Sequence, residues 1–151
     1  ANIQWAPEWA LSIMSGHAID WYGMSEDLPN PDSRVRVDGD RIVLDWQRSN
    51  MGPHNRLVAK MKEIFRAAGY PIALSRPFDR KVVSHQCGTV RMGNDPAKAA
   101  LDPFCRAFDH DNLFVVDAGF LPNSAAVNPS LTVAAQALRV ADHIRSRDLA
   151  A

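Results

Sequence analysis

Two stretches of this chain repeat apolar residues at helical spacing, and most of what lies around them is cut into short pieces by Pro and Gly. In the first, Leu57, Met61, Ile64, Phe65 and Ala68 share one face, Pro53 suits the opening turn, and Gly69 stands where a C-terminal stop belongs. In the second, Asn128 is the candidate N-cap and Pro129 the first helical position. Leu131, Ala134, Ala135, Leu138, Ala141 and Asp142 then follow along one side to about Arg147.

Strands also have sequence signals. The Pro and Asx cluster of Leu28-Pro29-Asn30-Pro31-Asp32-Ser33 marks a turn. Beyond it, Arg34-Val35-Arg36-Val37 and Arg41-Ile42-Val43-Leu44-Asp45-Trp46 alternate polar and apolar residues around Asp38-Gly39-Asp40, which predicts a hairpin. Lys81 to Ser84 reads as a short strand delivering its end to His85, and Leu113-Phe114-Val115-Val116 as a buried strand ending on Asp117-Ala118-Gly119. The first 33 residues read as irregular. Strands mixed with helices, without regular βαβ alternation, predict α+β, or a piece contributing to both domains of a larger α/β protein.

The chain has 151 residues, long enough for one domain with a real core, and 46% of them are hydrophobic. Its 17 basic and 17 acidic side chains cancel, and no basic run is interleaved with aromatics, which argues against a nucleic-acid binder and for a small neutral ligand. No apolar stretch is long enough to span a bilayer. With neither signal peptide nor initiator Met, the chain reads as a cut or processed piece of something longer. Cys87 and Cys105 make no disulfide framework and are expected to be reduced. The expected setting is cytoplasmic or periplasmic, with cytoplasmic favoured.

Three groups of residues could carry chemistry. His85 follows a predicted strand end and precedes Gly88 and Gly93, so its side chain can reach into a cleft while the backbone turns tightly; a lone histidine is nevertheless more often structural. Asn128-Pro129-Ser130-Leu131-Thr132 has two readings. Asn128 caps a helix, or the N–H groups of Ser130 and Leu131, with the positive helix end, receive a developing negative charge while Asn128 turns to a substrate oxygen. His85, Cys87, Cys105 and His110 could in principle ligate zinc. Only the first pair has zinc-like spacing, so no metal site is expected.

Three segments in this order, Ser84-His85-Gln86-Cys87-Gly88-Thr89-Val90-Arg91-Met92-Gly93, then Asn112-Leu113-Phe114-Val115-Val116-Asp117-Ala118-Gly119 with Pro122, then Val127-Asn128-Pro129-Ser130-Leu131-Thr132, closely resemble the C-terminal signature of glucose–methanol–choline (GMC) oxidoreductases. Leu28-Pro29-Asn30-Pro31-Asp32-Ser33-Arg34-Val35 resembles the family's lead into its substrate-domain sheet, so the likeness runs from about Glu26 to the end. What it implies is an FAD-dependent dehydrogenase or oxidase of an alcohol or sugar CH–OH group, acting by hydride transfer to flavin N5. His85 matches the base, Asn128 its neighbour at the substrate, and Asp117, Ala118, Asn128, Pro129, Ser130 and Leu131 the stretch along the flavin.

The implied architecture is two-domain, an FAD-binding (Rossmann-like) domain beside a substrate domain with an antiparallel sheet. Residues 1–110 would belong to the substrate domain and 111–151 would complete the FAD-binding domain. The family's Gly-x-Gly-x-x-Gly turn is absent from this sequence, so FAD would be held jointly with an N-terminal FAD-binding portion as partner. Two other readings are a hydroxynitrile-lyase-type relative, with flavin but no net redox chemistry, and a non-catalytic binding or structural module, zinc-stabilised or not.

Overall fold

The computed structural model describes residues 7–78 and 84–149. The element order is α1 (Glu8–Gly16), β1 (Arg34–Asp38), β2 (Arg41–Asp45), α2 (Met51–Ala67), a 3₁₀ turn (Ala118–Phe120), α3 (Ser130–His143) and a π-helical turn (Ile144–Asp148). This is a small α+β arrangement with one two-stranded antiparallel sheet among the described residues. The strand expected at Lys81 to Ser84 falls largely on residues outside the described ones.

The hairpin forms as its alternation requires. Asp38 pairs with Arg41 across the two-residue loop Gly39-Asp40, and Val35 pairs with Leu44 and Val37 with Ile42. That register puts the four apolar side chains on one face, because successive side chains alternate. Asn30 opens the entry turn: its Oδ1 accepts from the Asp32 N–H at 2.9 Å and its carbonyl from the Ser33 N–H at 2.9 Å.

The end of α2 follows from one residue. Gly69 adopts φ 91°, which lets its N–H reach the Arg66 carbonyl at 3.1 Å and the Tyr70 N–H reach the Phe65 carbonyl at 2.8 Å. This pair of bonds is the Schellman motif, and glycine takes the left-handed position without steric cost.

Three sequence expectations are corrected. The first 33 residues are not wholly irregular, since Glu8–Gly16 is helical. Glu8, Ser12 and Ser15 share one side of it and Trp9, Ala10, Ile13 and Met14 lie on the others, but over nine residues that period is too short to stand out in the sequence. Leu113–Val116 is not a buried strand. It makes one bridge, Arg106 to Phe114, and Leu113 stays 46% exposed, because its backbone bonds among the described residues go only to Cys105 and Ala107 on one side and to His110 in its own turn.

Finally, Asn128 does not cap α3. Pro129 occupies the capping position with φ −85° and ψ −11°, its carbonyl accepts from the Val133 N–H at 2.9 Å, and no side chain caps the helix.

Leu101, Cys105, Phe120 and Val140 are the buried core, with Val90, Met92, Phe114, Val133 and Ile144 packed around them. Phe120 is central to it. Residues 88–92 run beside the 3₁₀ turn, with the N–H groups of Gly88, Val90 and Met92 donating to the carbonyls of Ala118, Gly119 and Phe120. Core and ladder together hold the segment that carries His85 against the loop that carries Asn128.

Candidate active site

An open cleft of about 1110 Å³ is walled by residues from 21 to 35, by β2 and the segment leading into α2, by residues 76–78, and by parts of 84–91 and 122–128. His85 and Asn128 both line it. The apolar face of the hairpin contributes Val35, Ile42 and Leu44, and Trp21, Tyr22 and Phe78 add aromatic surface. Tyr22 meets Phe78 edge-on at 5.9 Å. His85 also borders a smaller cavity of about 90 Å³, shared with Cys87, Leu121, Val127 and Pro129.

His85 has φ 56°, and besides it only Asn50 and Cys105 among non-glycine residues have positive φ in the described chain. Such backbone is uncommon outside glycine, and residues held in it cluster at functional sites. The ring is half-buried, and its Nδ1 lies 3.1 Å from the Met24 Sδ.

Met24 belongs to a segment fastened on both sides. Gly23 lies so close to α2 that a Cβ there would stand 2.7 Å from the Met61 Sδ. The Asn50 amide donates to the Glu26 carbonyl, and the Ser49 hydroxyl to the Asp27 Oδ1 at 2.6 Å. On the other side, the backbones of Asp27 and Ser124 exchange hydrogen bonds of 2.9 and 3.1 Å, and the Asn123 amide donates to the Glu26 Oε1 at 2.7 Å. Residues 23–27 thus strap the start of α2 to the loop before Asn128.

The structure separates the remaining predicted site residues from the cleft. The Asp117 Oδ1 accepts from the Gly119 N–H at 2.6 Å, and the Ala118 carbonyl accepts from Gly88. Neither residue lines the cleft. Pro129 reaches only the smaller cavity, while Ser130 and Leu131 are exposed at the uncapped start of α3. Asn128, relieved of capping, has no hydrogen-bond partner among the described residues and is exposed toward the cleft.

The four candidate metal ligands do not come together. Among the described residues no three His, Cys, Asp or Glu side chains form a metal-holding group. Cys105 is buried in the core, where the Gln136 amide donates to its sulfur at 3.3 Å, and Cys87 lies beside Ser124. Burial raises both thiols above their ordinary pKa, more than the hydrogen bonds from Ser124 and Gln136 lower them.

Several cleft residues had no sequence signal. Met24, Glu26, Asp27 and Asn123 sit in stretches without periodicity, and what joins them is contact between segments far apart in the chain. The Pro and Asx cluster marked the neighbouring turn but could not identify the strap.

A family model described as GMC oxidoreductase matches residues 29–137. Among curated proteins, the chain is 32% identical over 130 residues to a 6'''-hydroxyparomomycin C oxidase from Streptomyces lividus, covering 80% of this chain and 24% of that protein. It is 33% identical over 144 residues to a 2-methyl-1,2-propanediol dehydrogenase from Mycolicibacterium austroafricanum, covering 87% and 26%. To a fructose dehydrogenase large subunit from Gluconobacter japonicus it is 30% identical over 140 residues, covering 86% and 26%. The chain therefore spans about a quarter of the length of these relatives.

Proposed function

This chain belongs to the GMC oxidoreductase family, and on that premise we propose that it is the C-terminal, catalytic-residue-bearing part of an FAD-dependent enzyme that oxidises an alcohol or sugar CH–OH group. In this reading residues 1–110 belong to the substrate domain and 111–151 complete the FAD-binding domain. The observation that carries it is the meeting of His85 and Asn128, distant in sequence, on the wall of one cleft. The relatives' names include both oxidase and dehydrogenase and both sugars and a small diol, so the class of reaction is narrower than the class of substrate.

The residues present fit one edge of FAD. The start of α3 has no side-chain cap, so its first N–H groups, at Ser130 and Leu131, and the positive end of the helix suit a ring edge that gains negative charge. A glycine-rich turn for the pyrophosphate is not among these residues, and the N-terminal portion of the enzyme would provide it. When bound, FAD supplies the acceptor for the hydride leaving the carbinol carbon.

The chain's own residues would do the rest. His85 takes the hydroxyl proton, the step for which imidazole is the commonest general base. The Asn128 amide donates to the same oxygen and holds the carbinol carbon in place, and its freedom from helix capping supports that role. Trp21, Tyr22, Val35 and Phe78 line the cleft with apolar surface that is exposed in this chain and would shield the reacting oxygen from water once the rest of the enzyme covers it.

The test is the visible absorption spectrum of the native preparation, with denaturing mass determination of every chain in it, followed by anaerobic addition of sugars and alcohols. A flavin spectrum bleached by one of them supports the reading. A colourless preparation overturns it, and flavin left unreduced by the whole panel overturns the redox assignment in favour of lyase-type chemistry.

A further inference from the structure

We infer that Met24 is a positioning residue for His85, its thioether sulfur accepting the ring Nδ1–H and so holding the tautomer whose Nε2 is free to take a proton. The inference rests on the reading of His85 as the base.

The chemistry of the two atoms carries it. A thioether sulfur has no hydrogen to give, so it acts only as an acceptor. A hydrogen bond across the 3.1 Å between it and Nδ1 therefore forms only when the proton sits on Nδ1. In a neutral imidazole that leaves the lone pair on Nε2, the atom able to act as base. Holding a histidine in the wrong tautomer is among the most damaging single changes known in proton-transferring sites, so an acceptor at Nδ1 has a functional consequence.

Such acceptors are usually carboxylates or backbone carbonyls. A neutral sulfur orients the ring by a hydrogen bond alone, without a charge of its own. Met24 is suited to the task because its neighbours are pinned, Gly23 against Met61 and Asp27 against both Ser49 and Ser124. The half-buried ring, set on a left-handed backbone at φ 56°, is thus fixed from two directions.

The experiment compares Met24→Leu and Met24→Gln in the complete FAD-loaded enzyme. Leucine keeps the bulk and removes the acceptor, whereas glutamine restores an acceptor oxygen at similar reach. Met24→Leu is expected to lower kcat/KM by about two- to tenfold, the worth of one ordinary hydrogen bond. Nitrogen-15 NMR of the histidine rings should show the His85 resonances moving from the Nδ1-protonated tautomer toward a mixture, and Met24→Gln should return both readouts toward the parent.

Unchanged turnover and an unchanged tautomer in a folded Met24→Leu protein overturn the inference. So does a Met24→Gln protein as impaired as Met24→Leu, which would mean that packing alone matters. Failure of the base assignment looks different: His85→Asn would then retain turnover, while nitrogen-15 NMR of the parent enzyme still reported the contact of the His85 ring with Met24.

Discussion

Replacing His85 with Asn separates its chemistry from its backbone. His85 sits at φ 56°, a conformation in which Asn is one of the few residues comfortable besides Gly. An Asn there keeps the chain path and forfeits the ring's contact with the Met24 sulfur, a loss of about 1 kcal/mol. It cannot serve as a general base, and loss of such a base costs on the order of 10²- to 10⁴-fold in rate, or about 3 to 5 kcal/mol on the barrier. The substitution is therefore expected to reduce turnover by that factor while the melting transition moves by only a few degrees.

The assay is turnover of the reconstituted, flavin-loaded enzyme with an artificial electron acceptor, normalised to flavin absorbance, beside a thermal melt. His85→Ala should lose as much turnover and somewhat more stability, because Ala is poorly suited to left-handed backbone. A fully loaded His85→Asn enzyme within tenfold of the parent would refute the assignment of His85 as the base.

Asn128→Ala should leave stability nearly unchanged, since the side chain neither caps α3 nor bonds to another described residue, but lower kcat/KM by about ten- to a hundredfold, as steady-state kinetics would read. Gly119→Ala should destabilise by about 1–3 kcal/mol in denaturant titration, because the added Cβ would stand 2.7 Å from the Asp117 Oδ1 and 2.9 Å from the Thr89 Oγ1. Alkylation of Cys87 should be slow at neutral pH and accelerate only above the ordinary thiol range, because burial holds its proton; following carbamidomethylation by mass across pH checks this. The same raised thiol pKa values in Cys87 and Cys105 imply that stability falls as pH rises past that range, since the unfolded chain releases these protons first.

Local signals were legible where one residue type decides one conformation. The hairpin followed from alternation and a two-residue loop, and α2 from its apolar period and the glycine that ends it. The segment that carries His85 and the loop that carries Asn128 could be named because three motifs stand in a recognisable order. Asn128 as a cap was a fair local inference that failed by one position: Pro129 already has helical backbone and takes the capping place. The Leu113–Val116 run was misread for a different reason. Its composition belongs to a strand flanked by others, and strand identity is a property of neighbours, which the described chain does not supply on both sides. The strap was invisible because a Met, a Glu and an Asp in an aperiodic stretch carry no pattern until their partners are known.

That strap has a consequence for the order in which the molecule assembles. Its contacts join residues 61 and 97 positions apart, Met24 with His85 and Glu26 with Asn123, whereas the hairpin and α2 close over neighbouring residues. Contacts of such separation are slow to form, because the long loops between them must close first. On refolding, helical signal and hairpin should return before the cleft does.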